Sequence, residues 1–192
     1  MKINQTKKIT HLRFLNLFEV DYIDMKGNQK SWVFASRQAQ PKCTTGDFSK
    51  ADAVVIVPYH VDKKKIVIIE EFRVPLAGYQ FGFPAGLIDP GESIESSAAR
   101  ELKEETGLSL IRTLKQSPPV YSTSGMTDES VSMVYVECNG EADTSQNESS
   151  EDITVHFLTP AEAGHLIEAG TGRKFDVKTW LVLASFAQNG RL

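Results

Sequence analysis

Three glutamates in the middle of the chain have the spacing of a metal-binding surface. Glu101, Glu104 and Glu105 stand at i, i+3 and i+4, which places three carboxylates within about one turn of a helix. Such a density of negative charge is unfavourable unless cations compensate it. Mg²⁺ and Mn²⁺ are hard divalent ions that take oxygen ligands, so the spacing favours a site for one of them. A solvated acidic helix face is the alternative interpretation.

Neighbouring residues position these carboxylates. Residues 93–106 predict a helix, because apolar residues recur there every four positions and Gly107 supplies a stop. Glu101 and Glu105 border the apolar stripe, so both carboxylates are expected at the edge of the core, with restricted rotamers. Arg100 lies four residues before the middle glutamate and can orient it.

The segment before this helix is rich in glycine and proline. Residues 79–92 read YQFGFPAGLIDPGE, a composition typical of a loop or of short irregular strands. The glycines and Pro90 bend the chain there. We therefore expect backbone carbonyls of this segment to lie beside the helix carboxylates.

Acidic residues are concentrated in two segments that apolar sequence separates. Residues 86–108 hold six acidic residues against Arg100 and Lys103, and residues 141–152 hold five with no basic residue. Binding of a divalent cation is one explanation for these clusters. A solvated surface is again the alternative.

The overall composition excludes several classes of protein. The chain has 192 residues, of which 41% are apolar and 24% charged, values typical of globular proteins. It contains no apolar stretch long enough for a membrane helix, and its N-terminus lacks the apolar region of a secretory signal. Cys43 and Cys138 are too few for a disulfide scaffold, which favours a cytoplasmic protein. A net charge of −4 argues against a nucleic-acid partner.

The pattern of the whole chain predicts an α+β fold with a mixed sheet between helical layers. Two β-rich segments joined by a turn at 26–28 predict an N-terminal hairpin. Thr159 and Asp176 are expected to cap two C-terminal helices, and the last of these is apolar on most sides and therefore expected to be buried. The predicted strands cover residues 14–24, 30–37, 53–59, 65–72, 130–138 and 152–159.

Residues 86–108 resemble the Nudix box, the signature of the Nudix hydrolases. That pattern combines a glycine, a glutamate, an Arg-Glu pair, a Glu-Glu pair and a closing glycine at fixed spacings, with aliphatic residues among them. The resemblance implies an α/β/α sandwich and metal-dependent cleavage of a pyrophosphate linked to a nucleoside. The matching positions are Gly86, Glu92, Arg100, Glu101, Leu102, Glu104, Glu105, Gly107 and Leu108.

The resemblance also implies roles for individual box residues. Glu101 and Glu105 are expected to be ligands of Mg²⁺ or Mn²⁺, with Glu104 as a further ligand or an orienting group. The carbonyl of Ala85, just before the box glycine, often completes the coordination in the family. Glu92 is expected to support the loop.

Outside the box, the chain resembles the ADP-ribose pyrophosphatase-like branch of the family. That branch uses an N-terminal β region for dimer formation. We therefore expect a homodimer, with an N-terminal β region over residues 1–45 and a Nudix domain over residues 46–192. By the same resemblance, Arg73 contacts a substrate phosphate, a role that suits its planar charged fork. A surface arginine at the end of a strand is the alternative.

Aromatic residues of the N-terminal region match positions that the branch uses against the nucleotide base. Phe14 and Trp32 occupy these positions, and Arg37 follows Trp32 by five residues as in the relatives. Stacking would accept any purine, because every base offers a π-face. Packing in the core or at a dimer contact is the alternative for both aromatic residues.

One position departs from the branch. Ser124 stands where the relatives usually have the proline of a Ser-Pro-Gly element, whereas the accompanying Gly125 and Glu129 are present. Glu129 is expected to hydrogen-bond a terminal sugar. The substitution leaves other nucleoside diphosphate sugars, such as GDP-mannose, open as substrates.

The general base is expected in the second acidic segment. Relatives often read Glu-x-Glu-Asp before an apolar strand, and the matching run here is 149–152, so Glu151 takes the place of the second glutamate. Ser149 replaces the first glutamate, and Glu148 lies one residue earlier as a second candidate. Glu104 on the box helix is the third candidate. A merely solvated acidic loop is the alternative.

These patterns predict an enzyme that hydrolyses a nucleoside diphosphate sugar to a nucleoside monophosphate and a sugar phosphate. Two other functions stay open at this point: hydrolysis of another dinucleotide or a nucleoside triphosphate, and nucleotide sensing without cleavage. The intact box, and the lack of a basic helix-turn-helix segment, favour an enzyme that acts on a small nucleoside diphosphate derivative.

Overall fold

The chain divides into two compact units. The first unit consists of residues 1–52 and 119–131, and the second consists of residues 53–118 and 132–192. No helix among the described residues is both long and apolar enough to cross a membrane. The computed structural model describes residues 1–145, 147, 149–169 and 172–192.

Strands and helices both contribute to the described residues, which confirms the α+β prediction. The strands are β1 (Lys2–Lys8), β2 (Asn16–Ile23), β3 (Gln29–Ser36), β4 (Ala53–His60), β5 (Lys65–Arg73), β6 (Gly78–Gly82), β7 (Ala85–Leu87), β8 (Ser109–Gln116), β9 (Val120–Tyr121), β10 (Ser130–Asn139) and β11 (Ile153–Leu158). The helices are α1 (Lys42–Thr45), α2 (Ile94–Thr106), α3 (Pro160–Glu168) and α4 (Val177–Asn189).

The first unit contains an antiparallel sheet in the order β1-β2-β3. The predicted hairpin is its β2–β3 pair. Asp24 closes the turn, because its Oδ1 accepts the backbone N–H groups of Lys26 and Asn28 at 2.8 and 2.9 Å. Gly27 has a φ of 83°, a conformation that favours glycine. The third strand, β1, had no separate prediction.

A buried ion pair joins the two parts of the first unit. Lys42 is 6% exposed, and its Nζ lies 2.6 Å from Oδ2 of Asp52 and 2.6 Å from Oγ of Ser130. A buried charge needs a close partner, so these contacts hold the ammonium in place. Since Ser130 belongs to the segment 119–131, the ion pair fastens that segment to residues 1–52.

The second unit is built on a mixed sheet. Its strands lie in the order β11-β5-β4-β10-β8, with β6 paired to β5 and β7 paired to β4, while the first two residues of β10 belong to the first unit. Helix α2 packs on this sheet, because the buried residues of both form one apolar cluster. The members of the cluster are Val54, Ile56, Val67, Ala98, Leu102, Leu108, Val134, Val136 and Cys138.

Helix α2 has the ends that the sequence predicts. Ser93 is its N-cap, and its side chain accepts the backbone N–H of Ser96 at 3.1 Å. Gly107 ends the helix with a φ of 75°. A Cβ on Gly107 would also approach the backbone N of Asp143 to 2.6 Å, so glycine is required there by space as well as by conformation.

The last helix corrects one prediction. The cap of α4 at Asp176 is confirmed, but the expectation that α4 is buried on most sides is wrong. Val177, Trp180 and Leu181 are exposed, whereas the buried positions form one stripe that includes Leu183. The physical reason is that a helix resting on one surface buries one face, whatever the polarity of its other faces.

Strand β8 was not predicted. It lies at one end of the sheet order and pairs antiparallel with β10, and the register shifts twice along the pair. Its burial pattern shows two half-buried positions among exposed ones, so the apolar alternation that marks a strand is weak in this segment.

Candidate active site

Helix α2 carries two sheltered carboxylates and one exposed carboxylate. The side chain of Glu101 is 12% exposed and that of Glu104 is 51% exposed. Glu105 is buried, with 7% of its surface accessible. The sequence predicts all three at a metal site, and the structure places the first and the last of them at the edge of the core.

The carboxylate of Glu105 is buried without a cationic partner. Its Oε2 accepts the backbone N–H of Ala85 at 3.1 Å, and no lysine or arginine of the described residues lies within salt-bridge distance of it. Burial raises the pKa of Glu105 to about 9, and the negative charges of Glu101, Glu71 and Glu151 raise it further. This carboxyl group therefore needs a neighbouring positive charge to ionise near neutral pH.

The carboxylate of Glu101 lies against the backbone of Gly86. A Cβ on Gly86 would overlap both oxygens and the Cδ of the Glu101 carboxylate, so this approach requires glycine. Oε1 of Glu101 accepts a hydrogen bond from Nη1 of Arg100 at 2.7 Å. Burial raises the pKa of Glu101 even though Arg100 lowers it.

Arg100 contacts three glutamates and one backbone carbonyl. Its Nε and Nη2 donate to the two oxygens of Glu92 at 3.1 and 3.0 Å, which holds the pKa of Glu92 at about 2. Its Nη1 donates to Glu101 at 2.7 Å and to Glu104 at 3.1 Å. Its Nη2 also donates to the carbonyl of Leu87 at 3.1 Å. One guanidinium thus joins two carboxylates of the helix to the loop that precedes it.

The geometry fits a divalent cation. The carboxylates of Glu101 and Glu105 converge on the two-residue segment Ala85–Gly86 of β7, and all their donors are hard oxygens. Within the described ranges, no group of three or more acidic, histidine or cysteine side chains is arranged as a complete metal site. The fit therefore depends on the chemistry of the donors and on the uncompensated burial of Glu105.

Strand β5 brings further charged residues to this cluster. Nη1 of Arg73 donates to both oxygens of Glu71 at 2.8 and 2.9 Å. The charge of Glu71 acts on Glu105, and the charge of Glu151 acts on both Glu101 and Glu105. Two of the predicted site residues, Arg73 and Glu151, therefore lie around the carboxylates of α2. Glu148 falls outside the described residues.

The predicted nucleotide-binding residues lie in the first unit. Nε of Arg37 donates to Oε1 of Glu129 at 2.7 Å, and the indole N–H of Trp32 donates to the carbonyl of Gly125 at 3.1 Å. Trp32 lies in β3 and Arg37 directly follows this strand, so both contacts join this part of the chain to the segment 119–131. Trp32 is 53% exposed, so its ring is accessible for stacking.

The other predicted aromatic residue is separate from these contacts. Phe14 lies before β2 and is 68% exposed. The guanidinium of Arg13 lies over this ring, 4.7 Å from its centroid. Ser124 lines an apolar groove of about 700 Å³ in the first unit together with Trp32 and Phe34.

The sequence gives no prediction of a contact between Tyr79 and Asp152 beside the site. The hydroxyl of Tyr79 donates to Oδ2 of Asp152 at 2.5 Å, across strand β5, which lies between β6 and β11. The only signal for it in the sequence is that each residue lies next to a segment with strand character. Strand order and register are needed to bring the two residues together.

Comparison with known proteins decides the family. The NUDIX domain profile matches residues 49–181, which is more than half of the chain. This chain belongs to the Nudix family. In this Nudix domain the box begins in β7, at Gly86, and ends just after α2, at Leu108.

Known relatives of this Nudix protein include two pyrophosphatases. It is 31% identical over 155 residues to "ADP-ribose pyrophosphatase" of Saccharomyces cerevisiae, a match that covers 80% of this chain and 64% of the relative. It is 30% identical over 142 residues to "ADP-sugar pyrophosphatase" of Mus musculus, covering 72% of this chain and 62% of the relative. The chain thus spans less than two thirds of the length of these curated relatives.

A solved structure shows the same fold. The crystal structure titled "ADP compounds hydrolase" superimposes with a TM-score of 0.68 and 23% sequence identity, covering 100% of this chain and 96% of that chain. At this identity the similarity establishes the fold alone, and it confirms the predicted Nudix fold.

Proposed function

We propose that this protein is a divalent-metal-dependent pyrophosphatase that hydrolyses a nucleoside diphosphate sugar of the ADP-ribose type. The products are a nucleoside monophosphate and a sugar phosphate. The observation that carries the proposal is the convergence of Glu101 and Glu105 on Ala85–Gly86, with Glu105 buried and without a cationic partner in the described part of the chain. The names of the two pyrophosphatase relatives support this substrate class.

Glu101 and Glu105 would hold the ion, together with the carbonyl of Ala85. Glu104 serves as a further ligand or as an orienting group. When bound, Mg²⁺ or Mn²⁺ supplies charge neutralisation at the phosphate oxygens and acidifies a water molecule. Arg100 keeps the helix carboxylates in place, because one guanidinium contacts both Glu101 and Glu104.

Residues around the carboxylates carry the other steps. Arg73 binds phosphate oxygens, for which its fork is suited once it exchanges Glu71 for the more strongly charged pyrophosphate. Glu151 accepts the proton of the attacking water. The water oxygen forms a bond to one phosphorus, the bridging P–O bond breaks, and the leaving phosphate takes the bonding electron pair. Glu148 is the second candidate for this base.

The first unit would bind the nucleoside and the sugar. Trp32 stacks on the base, Phe14 supports it, and the ion pair of Arg37 with Glu129 offers both a donor and an acceptor to hydroxyl groups. We propose that the protein is a homodimer in which this unit serves the nucleotide site of the partner copy. The exposed apolar groove beside Trp32 supports such a contact.

A substrate panel tests the proposed function. ADP-ribose, GDP-mannose, a dinucleotide and a nucleoside triphosphate are each incubated with Mg²⁺ and with Mn²⁺, and released phosphomonoester is measured. We expect the highest kcat/KM for a nucleoside diphosphate sugar, and loss of activity with a chelator. A higher kcat/KM for the dinucleotide or the triphosphate would show that this compound, and not a nucleoside diphosphate sugar, represents the substrate class. Binding of ADP-ribose without turnover would identify a sensing domain.

A further inference from the structure

The end of β5 separates charged residues onto two faces of the sheet. Side chains alternate along a strand, so Glu71 and Arg73 share one face, and Glu70 and Phe72 share the other. The charge of Glu71 acts on Glu105, which assigns the first face to the carboxylates of α2. The charge of Glu70 acts on Tyr79, which assigns the second face to Tyr79.

Tyr79 reaches over β5 to the start of β11. Its position in β6 is directly opposite Phe72 of β5, and the two rings meet edge to face with 5.5 Å between their centroids. On the other side of β5, the backbone N–H of Phe72 donates to the carbonyl of Asp152 at 3.1 Å. The hydroxyl of Tyr79 then donates to Oδ2 of Asp152 at 2.5 Å.

These contacts fix more than the side chain of Asp152. The backbone bond to Phe72 extends the β5–β11 ladder by one residue beyond Ile153. Neighbouring residues of an extended chain point to opposite faces. An Asp152 side chain held on the face of Tyr79 therefore turns Glu151 towards the face of the α2 carboxylates, in agreement with its action on Glu101 and Glu105.

We infer that Tyr79 is a positioning residue, which acts through Asp152 to aim Glu151 at the attacking water. This inference rests on the proposed hydrolytic function. Without the hydroxyl contact, the side chain of Asp152 is no longer held on the face of Tyr79, and the neighbouring Glu151 samples a wider range of positions. Tyr79 itself needs no contact with the substrate for this role.

Replacement of the hydroxyl alone tests the role. Tyr79→Phe keeps the ring on Phe72 and removes the donor to Asp152. We expect kcat to fall roughly tenfold, since a misplacement of about 1 Å lowers rates by up to about 100-fold, while KM stays within a factor of two. The matched control is Tyr59→Phe, another tyrosine of the second unit, whose ring packs on Phe186 away from the carboxylates.

A double-mutant cycle separates positioning from general destabilisation. In a Glu151→Gln background, the change Tyr79→Phe should have no further effect on kcat, because the group that it positions is already absent. An equal fall in both backgrounds would overturn the inference. An unchanged kcat for Tyr79→Phe in the otherwise wild-type enzyme would overturn it as well.

Amide hydrogen exchange provides a readout that needs no activity. The N–H of Phe72 bonds to Asp152, so we expect Tyr79→Phe to accelerate its exchange, and the control Tyr59→Phe to leave it unchanged. Unchanged exchange at Phe72 would overturn the inference. If the wild-type protein hydrolyses no member of the substrate panel, the proposed function is wrong, and the positioning role of Tyr79 is wrong with it. The exchange experiment still reports whether the hydroxyl of Tyr79 holds Asp152, so the two failures can be told apart.

Discussion

The carboxylate of Glu101 lies so close to Gly86 that adding one methyl group at Gly86 tests whether the position of this carboxylate matters for activity. In Gly86→Ala the new Cβ would overlap the carboxylate of Glu101. Gly86 pairs with Val54 in an ordinary strand conformation, so alanine is compatible with the backbone there. The atoms that have to move are the end of a flexible side chain. We therefore expect the carboxylate to be displaced while the fold is kept.

The size of the effect follows from the contact. Normal van der Waals separation is about 3.5 Å or more, which requires the carboxylate to withdraw by more than about 1 Å. A displacement of this size at a reacting centre lowers kcat by about 100-fold. Replacement of glycine by alanine in a compatible conformation stabilises a protein by about 0.4–1 kcal/mol, which offsets a weaker Arg100–Glu101 contact. The free energy of unfolding should thus change by less than about 1 kcal/mol.

The assay compares kcat at saturating substrate and Mg²⁺ with the free energy of unfolding in urea. The matched control is Gly82→Ala, since a Cβ at that glycine would lie 4.0 Å from Cγ1 of Ile69, an ordinary contact. We expect this control to keep wild-type kcat. Retention of more than about a third of the wild-type kcat in folded Gly86→Ala would refute the importance of the Glu101 position. A large fall in the free energy of unfolding of Gly86→Ala would contradict the expectation that the overlap displaces only the carboxylate of Glu101.

Four further predictions concern the carboxylates and the first unit. Glu105→Gln should lower kcat by more than about 100-fold, with intact circular dichroism; a rate above about a third of wild type would exclude a ligand role. The pKa of Glu105 is about 9 in the folded protein and near 4.5 in the unfolded chain, so the free energy of unfolding of the wild-type protein falls as pH rises between those values. Glutamine does not ionise, so without metal the Glu105→Gln variant should be more stable than the wild type at pH 7, by up to about 3 kcal/mol in urea melts. Of Glu151→Gln and Glu148→Gln, the one that removes the base should lose about 100-fold in kcat and flatten the acidic limb of the pH profile; near wild-type rates in both would move the base to Glu104. Deletion of residues 1–45 should give an insoluble or inactive chain, because it removes Lys42, the cation that pairs with Asp52, whose side chain is only 12% exposed; a soluble, active monomer would contradict this.

Local signals made much of the site predictable. The caps of α2 and the apolar stripe that orients it depend on residues within one helix, so the sequence contains all the information that they need. The same locality explains why the contact of Arg100 with Glu104, four residues apart, was foreseen. The contacts of Arg100 with Glu92 and Leu87 depend on how the loop folds back, and the spacing alone did not reveal them.

Non-local contacts were beyond the sequence pattern. The hydroxyl of Tyr79 meets Asp152 only because β6 and β11 take opposite edges of β5, and the polarity of neither residue indicates strand order. The buried position of Lys42 was likewise unforeseen, because lysine in a polar segment is ordinarily exposed. Exposure of Trp180 on α4 depends on which side of that helix meets the sheet.

The discontinuous first unit also has a consequence for the order of events during synthesis. Its sheet leaves the ribosome early, but the segment 119–131 follows only after residues 53–118. At about 5–20 residues per second, this delay lasts roughly 3 to 13 seconds. During that interval the ammonium of Lys42 lacks its partner on Ser130. Arg37 meets Glu129 only after the whole box helix has been made, so the unit that we propose to bind the nucleoside is completed by a nascent chain that already carries its candidate metal ligands.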